Sequence, residues 1–232
     1  MPTQTMTLEA IGFQLLGPLS VSLLLFQIYR SFKTKYVLHW TLSFASLAVF
    51  HLATTSLIFR EGTAEPFVLI AGSVIGGAAA YLQLGWLIWG AAELAKSKEF
   101  KVAEPARVLL LLAGVGVLSG AIPFFIGRDL AVHRFFYLGL HALGAALTFI
   151  AAAYAVRRFR GAGFMVPAIA FGIYGLVQLD EFINIMRSVV AHGTSLPLLN
   201  VGVTELAGSA IVALGAVLIG RWISGSHPDG HS

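Results

Sequence analysis

The sequence contains no cysteine and few charged residues. The absence of cysteine excludes disulfide bonds, thiolate catalysis and metal sites with sulfur ligands. Charged residues make up 11% of the chain and hydrophobic residues 57%, whereas about a quarter of the residues of a soluble globular domain are charged. This composition indicates a membrane protein.

Lysine is also missing from the apolar stretches. Every lysine lies in a hydrophilic segment between Lys33 and Lys101, so retinal, which needs a lysine on a membrane helix, is excluded as a cofactor. The opening segment MPTQTMTLEA contains no Lys or Arg and therefore lacks the basic region of a signal peptide. The net charge of +4 does not indicate a nucleic-acid partner, because the cations form short clusters between apolar runs.

The sequence is rich in apolar stretches long enough to cross a lipid bilayer, which takes about 20 residues. Seven such stretches are predicted, at Leu8–Tyr29, Tyr36–Ile58, Pro66–Leu94, Val108–Ile126, Leu130–Val156, Phe164–Met186 and Pro197–Ile223. The connections between them are short. We therefore predict an all-α fold, a polytopic seven-transmembrane-helix bundle that forms a single domain over residues 1–223, with a short cytoplasmic tail at 224–232.

The distribution of cations predicts the orientation, because cytoplasmic loops of membrane proteins carry an excess of Lys and Arg. Basic residues follow the first, third and fifth stretches and end the seventh: Arg30, Lys33, Lys35, Lys96, Lys98, Lys101, Arg107, Arg157, Arg158, Arg160 and Arg221. The N-terminus is predicted to lie outside and the C-terminus in the cytoplasm. Trp40, Trp86, Trp89 and Trp222 lie towards the predicted cytoplasmic ends, a position typical of interfacial anchors.

Ionisable and polar side chains recur at one level of the predicted bundle, about a third of the way in from the outside when the rise is 1.5 Å per residue. Charged groups at membrane depth are costly and normally face protein or water. The residues concerned are His51, Tyr137, His141, Gln178, Asp180, Glu181, Asn184 and Glu205. We predict that they line a polar pocket that opens outward.

Four uses of such a pocket are compatible with these residue types. The first is a hydrogen-bonded network that holds helices together, and the second is a ligand-binding or proton-sensing pocket, since an imidazole changes charge near neutral pH. The third is a zinc or iron site with an open position for water, with the candidate ligands His51, His141, Asp180, Glu181 and Glu205. The fourth is a haem b held between His51 and His141.

The segment GLVQLDEF, residues 175–182, resembles a segment of the seven-helix sensor regions of bacterial diguanylate cyclases and histidine kinases, which often reads GLHKLDYP. The matching residues are Gly175, Leu176, Leu179 and Asp180, whereas Val177 replaces the histidine. The resemblance implies a sensor in the bacterial inner membrane that passes a signal to the cytoplasm. Only WISGSHPDGHS follows Arg221, so we expect the signal to pass through a partner protein that docks on the basic loop Lys96–Arg107.

These observations predict a multi-pass membrane protein of the bacterial cytoplasmic membrane, sensor-like or accessory in function and without catalysis of its own. The first alternative is a metal- or haem-dependent membrane enzyme that uses the same pocket. The second is a structural subunit whose polar core packs inside a larger complex. The lipid bilayer is its expected environment, and no nucleic-acid partner is predicted.

The sensor-like and enzyme interpretations predict different cofactor contents. If the protein is a sensor-like or accessory component, the purified protein contains no stoichiometric zinc or iron and its optical spectrum shows no Soret band. Elemental analysis and an absorption spectrum measure both properties. A metal bound at one equivalent, or a haem spectrum that is lost in His51→Ala, would support the enzyme instead.

Overall fold

The computed structural model describes residues 3–60, 65–95, 105–126, 134–160, 165–190 and 198–225. Seven α-helices follow one another in this order: α1 (Thr3–Phe32), α2 (Lys35–Arg60), α3 (Pro66–Ala95), α4 (Pro105–Ile126), α5 (Leu140–Arg160), α6 (Met165–Val190) and α7 (Leu198–Gly225). A π-helical segment, Arg134–Gly139, leads directly into α5. Within these ranges no strand occurs, and the all-α prediction is confirmed.

Six of the helices, α1 to α6, are long and apolar enough to cross a membrane, and α7 contains a shorter apolar segment, Glu205–Leu218. The predicted stretches agree with the helices to within a few residues, because a bilayer requires long uninterrupted apolar runs. Prolines stand at the first position of α3 and α4, where the missing backbone N–H has no helical partner to lose. The described ranges therefore fit a helical, multi-pass membrane protein.

The first two helices are joined by a tight turn. Lys33 has a left-handed backbone with φ of 53°, and its N–H donates to the carbonyl of Tyr29 at 2.7 Å. This arrangement closes the C-terminus of α1 as glycine does in many helices. The Lys33 ammonium lies 5.4 Å from the centre of the Tyr29 ring. We call the end of the bundle that carries this turn the basic end, because Arg157, Arg158 and Arg221 belong to the same end.

Six helices form a closed ring in which each packs against the next, in the order α1, α2, α3, α5, α6, α7 and back to α1. The remaining helix, α4, lies outside this ring and packs against α3 and the π-helical segment. Its outer face is strongly exposed, with Leu110 at 72% and Phe125 at 83%. The interior of the bundle is therefore built by six helices, and α4 is attached to its surface.

The contact between α3 and α4 depends on small residues. A β-carbon placed on Gly116 would lie 2.9 Å from the Cα of Ala78, and one on Gly120 would lie 2.7 Å from the carbonyl carbon of Ser73. The Ser73 hydroxyl donates to the carbonyl of Gly120 at 2.8 Å. Small residues and hydroxyl groups are how membrane helices associate when no hydrophobic effect drives them together.

Aromatic side chains fill the ring near the basic end. Trp40 packs edge-on against Phe171 with ring centroids 5.0 Å apart, and Phe149 lies 4.4 Å from Tyr174. The predicted interfacial role is wrong for Trp40, because its side chain is fully buried and Gly90 provides the space for its indole. Trp86 stacks on His39 at 5.6 Å and is half-buried, whereas the side chain of Trp222 lies outside the described residues.

Gly116 and Gly114, two residues apart on α4, offer a matched test of this packing. We expect Gly116→Ala to lower stability by about 1–3 kcal/mol, since the added methyl overlaps α3 backbone in a close-packed contact. Gly114→Ala is the control, because nothing lies within 4 Å of its added methyl. Thermal unfolding in detergent measures both variants, and equal melting temperatures would contradict the close α3–α4 contact.

Candidate functional site

The centre of the candidate site is the carboxyl group of Glu205 on α7, which is 1% exposed. The Tyr174 hydroxyl donates a hydrogen bond to its Oε1 atom, and Nε2 of Gln178 donates to its Oε2 atom at 3.0 Å. Both donors are on α6, one turn apart, which places them on the same helix face. Each oxygen of the buried carboxyl group therefore has a donor, as a buried polar group requires.

A third helix reaches the same carboxyl group through an imidazole. Nε2 of His51, on α2, lies 3.7 Å from Oε1 of Glu205, and the His51 side chain is 6% exposed. The distance suits an ion pair but exceeds a hydrogen bond, and this nitrogen is buried without a hydrogen-bond partner. Glu205 thus connects α2, α6 and α7 at one point in the bundle.

Two glycines make room for this arrangement. A β-carbon on Gly208 would lie 2.8 Å from the Tyr174 ring, and one on Gly17 would lie 2.7 Å from the Ser209 hydroxyl. Gly208 follows Glu205 by about one turn, so the Tyr174 ring packs closely against α7 while its hydroxyl reaches the carboxyl group. The close approach of α6 and α7 is therefore part of the geometry of the cluster.

A second polar pair lies beside the first and is separated from it by an aromatic ring. Nε2 of His141, on α5, is 3.2 Å from Oε1 of Gln83 on α3, and the Ser43 hydroxyl donates to the Gln83 backbone carbonyl at 2.9 Å. The Phe50 ring centre lies 4.5 Å from that of His141 and 5.3 Å from that of His51. The two histidines interact electrostatically, so the pairs form one polar layer.

Tyr137, in the segment that leads into α5, completes this layer. Its side chain is 1% exposed, and its hydroxyl oxygen accepts a hydrogen bond from Thr54 at 3.3 Å. Gly76 on α3 leaves the space that the hydroxyl occupies. The residue belongs to the π-helical segment. Such segments are rare in proteins, and those that occur are often found at functional sites.

The two adjacent acids on α6 are in different environments. Glu181 is half-buried and interacts electrostatically with Glu205 and His51. Asp180 is exposed and accepts a hydrogen bond from Nδ2 of Asn184 at 3.1 Å. Consecutive helical residues point about 100° apart, so the same helix presents one acid to the cluster and the other to the outside.

The structure therefore brings together part of the predicted pocket. His51, His141, Tyr137, Gln178, Glu181 and Glu205 belong to the polar layer, whereas Asp180 and Asn184 do not. Except for the half-buried Glu181, these side chains are buried. Of the residues that resemble the sensor segment, Leu176 is 59% exposed, and Gly175 allows close contact with the carbonyl of Ala146 on α5.

The predicted metal ligands do not assemble in the described ranges, where no group of three or more His, Asp and Glu side chains could hold a metal ion. His51 and Glu205 are close together, but His141 is directed to Gln83 and Asp180 is exposed. In the same ranges, a cavity of about 10 Å³ lies near the basic end, lined by apolar residues that include Leu25. A cavity of that size holds about one water molecule.

Sequence reasoning missed two residues that organise the layer. Tyr174 precedes Gln178 by one turn, and the spacing of Tyr174, Gln178 and Glu181 is the signal that could have identified it. Gln83 is an amide in the middle of an otherwise apolar helix, α3. Such a residue is costly to bury unless it is hydrogen-bonded, and this cost is the signal that could have found it.

The comparisons with known proteins find no match: no family model, no curated protein and no solved structure corresponds to this chain. The function must therefore be argued from the geometry of the polar layer.

The hydrogen bond from Tyr174 can be tested by removing one atom. We expect Tyr174→Phe to lower the free energy of unfolding by about 1–3 kcal/mol, because it leaves an oxygen of the buried carboxyl group without its donor. Tyr154→Phe is the matched control, since Tyr154 is 66% exposed. Chemical unfolding in mixed micelles measures both, and an unchanged Tyr174→Phe variant would show that the hydroxyl does not satisfy Glu205.

Proposed function

We propose that the protein is a multi-pass membrane component of sensor-like or accessory function, in which the Glu205 carboxyl group and the His51 imidazole form the responsive element. The observation that carries this proposal is the 1% exposure of Glu205 together with its contacts to α2 and α6. An ionisable residue kept at membrane depth is normally retained for function. The proposed function does not include catalysis.

The response follows from the charges around Glu205. His51 faces it from α2, and Glu181 and Tyr174 face it from α6. His141, on α5, lies across the Phe50 ring from His51. A proton or a ligand that binds either member of the Glu205–His51 pair changes the charge of the pair. When the attraction between Glu205 and His51 is gained or lost, α2 and α7 repack, because an uncompensated charge cannot remain buried without cost.

The direction of signalling follows from the expected topology. We propose seven spans with the N-terminus outside and the C-terminus in the cytoplasm of a bacterium, since the basic end carries the clusters of Lys and Arg. The polar layer then lies in the outer half of the bilayer. A partner protein in the cytoplasm or membrane would receive the signal, in part at the loop Lys96–Arg107, of which residues 96–104 lie outside the described ranges. The resemblance of residues 175–182 to bacterial sensor regions supports the same assignment.

Glu205→Gln tests this proposal, with Asp180→Asn as the matched control. The melting temperature of the wild-type protein is expected to depend on pH if protons drive the proposed response, because both members of the Glu205–His51 pair are ionisable. Glu205→Gln is expected to reduce the change of melting temperature with pH. The reduction is about 2–4 °C for each kcal/mol of interaction lost in a chain of this size. Asp180→Asn is expected to leave it unchanged, because Asp180 is exposed.

Infrared spectroscopy provides the independent measurement. A carboxyl band that changes with pH in the wild type is expected to persist in Asp180→Asn and to vanish in Glu205→Gln. If Glu205→Gln kept the full pH dependence of both stability and spectrum, the buried pair would be an architectural contact and the sensor-like function would be wrong.

A further inference from the structure

The outer surface of α6 carries a charged residue within an apolar stripe. Residues spaced by three and four positions form this stripe: Ile169, Ile173, Leu176, Asp180, Ile183 and Arg187. Leu176 is 59% exposed and Ile169 52%. Such spacing describes one continuous helix face, and this face is not covered by the neighbours of α6 in the described ranges.

The depth of Asp180 makes this face unusual. The apolar span of α6 is Met165–Arg187, and Asp180 precedes its outer limit by two helical turns, about 10 Å. A span of 23 residues exceeds the hydrocarbon core of about 30 Å only slightly. The carboxyl group of Asp180 therefore lies below the boundary of the hydrocarbon, where an exposed charge is costly.

No cation among the described residues offsets this charge. Across the part of the chain that the structure describes, no Lys, Arg or His forms an ion pair with Asp180, and the hydrogen bond that it accepts comes from the amide of Asn184 at 3.1 Å. Arg187, on the same stripe, is exposed two turns farther along. A partner with a positive charge would supply the ion pair that the described residues do not give Asp180.

A second copy of the chain does not provide such a partner. Two copies inserted in the same direction are related by an axis along the membrane normal, so each residue of the stripe meets its own counterpart at the same depth. Asp180 would face Asp180 and Arg187 would face Arg187. Like charges at close range oppose association, and a heterologous helix is favoured.

We propose that this face of α6, which we call the Asp180 face, binds a membrane-spanning helix of a different protein. That helix carries a Lys or Arg at the depth of Asp180 and an acidic residue about two turns farther out, opposite Arg187. Leu176 and Ile183 supply the apolar contact around the pair. The proposal concerns a surface distinct from the buried Glu205 cluster and does not depend on what that cluster senses.

Synthetic membrane-spanning peptides test the Asp180 face. One Leu/Ala peptide carries Lys at the Asp180 level and Glu two turns outward, and a second has Leu at both positions. Because the chain contains no cysteine, a single Glu65→Cys substitution in the full-length protein accepts a fluorescent donor at the exposed start of α3. Energy transfer to labelled peptide in phosphatidylcholine vesicles measures the dissociation constant.

We expect the Lys peptide to bind the wild-type protein roughly 5- to 30-fold more tightly than the Leu peptide, which corresponds to about 1–2 kcal/mol for a polar contact between membrane helices. Asp180→Asn is expected to abolish this preference, and Asp180→Lys to reverse it towards a peptide with Glu at the same level. Glu93→Gln, which removes a carboxylate from α3, is the control that keeps the preference.

Three results would overturn the proposal. One is equal binding of the Lys and Leu peptides, and another is a preference that survives Asp180→Asn in protein whose thermal unfolding is normal. The third is energy transfer between two labelled copies of the protein that depends on Asp180, which would make a second copy the occupant. Glu205→Gln should retain the Lys-peptide preference, so failure here is distinguishable from failure of the sensor-like function.

Discussion

The burial of the Glu205 carboxyl group is the constraint that the interior of the bundle satisfies. A carboxyl group at membrane depth is stable only when neighbours replace the water that it has lost. Tyr174 and Gln178 supply the donors, and His51 supplies a group that can carry the opposite charge. Gly208 permits the approach of α6 that these contacts need. Several residues of the ring thus have their positions set by one side chain, and removal of any partner exposes the others to the cost of burial.

Two kinds of contact hold the bundle together, one in the interior of the ring and the other at its periphery. Inside the ring, α2, α3, α5, α6 and α7 meet through hydrogen bonds and aromatic contacts around the polar layer. At the periphery, α4 is attached through the backbone contacts of Gly116 and Gly120 and one serine hydroxyl. Lipid chains are as apolar as leucine, so close packing and hydrogen bonds must supply the stability in both places. Only the first kind of contact brings ionisable groups together, which is why the candidate site lies inside the ring.

The helices and the level of the polar layer were predictable from sequence, whereas the direction of each side chain was not. Bilayer thickness determines helix length, so the predicted stretches agree with α1 to α6, and residue offsets placed His51, His141 and Glu205 at one level. A soluble helix reveals its buried face through its polar side, but in a membrane the lipid and the protein interior are both apolar. Nothing in the pattern therefore distinguished the faces of Asp180 and Glu181.

Helix α6 contributes to both proposals, because it presents Glu181 to the interior cluster and Asp180 to the outer surface. Glu181 lies within electrostatic range of Glu205 and His51, while Asp180 is exposed in a stripe of apolar residues. Because both residues belong to one continuous helix, α6 cannot rotate to relieve a change of charge in the interior without turning Asp180 by the same angle. A partner helix paired with Asp180 would contact the outer face of the helix whose inner face carries Glu181, and it would do so without entering the cluster.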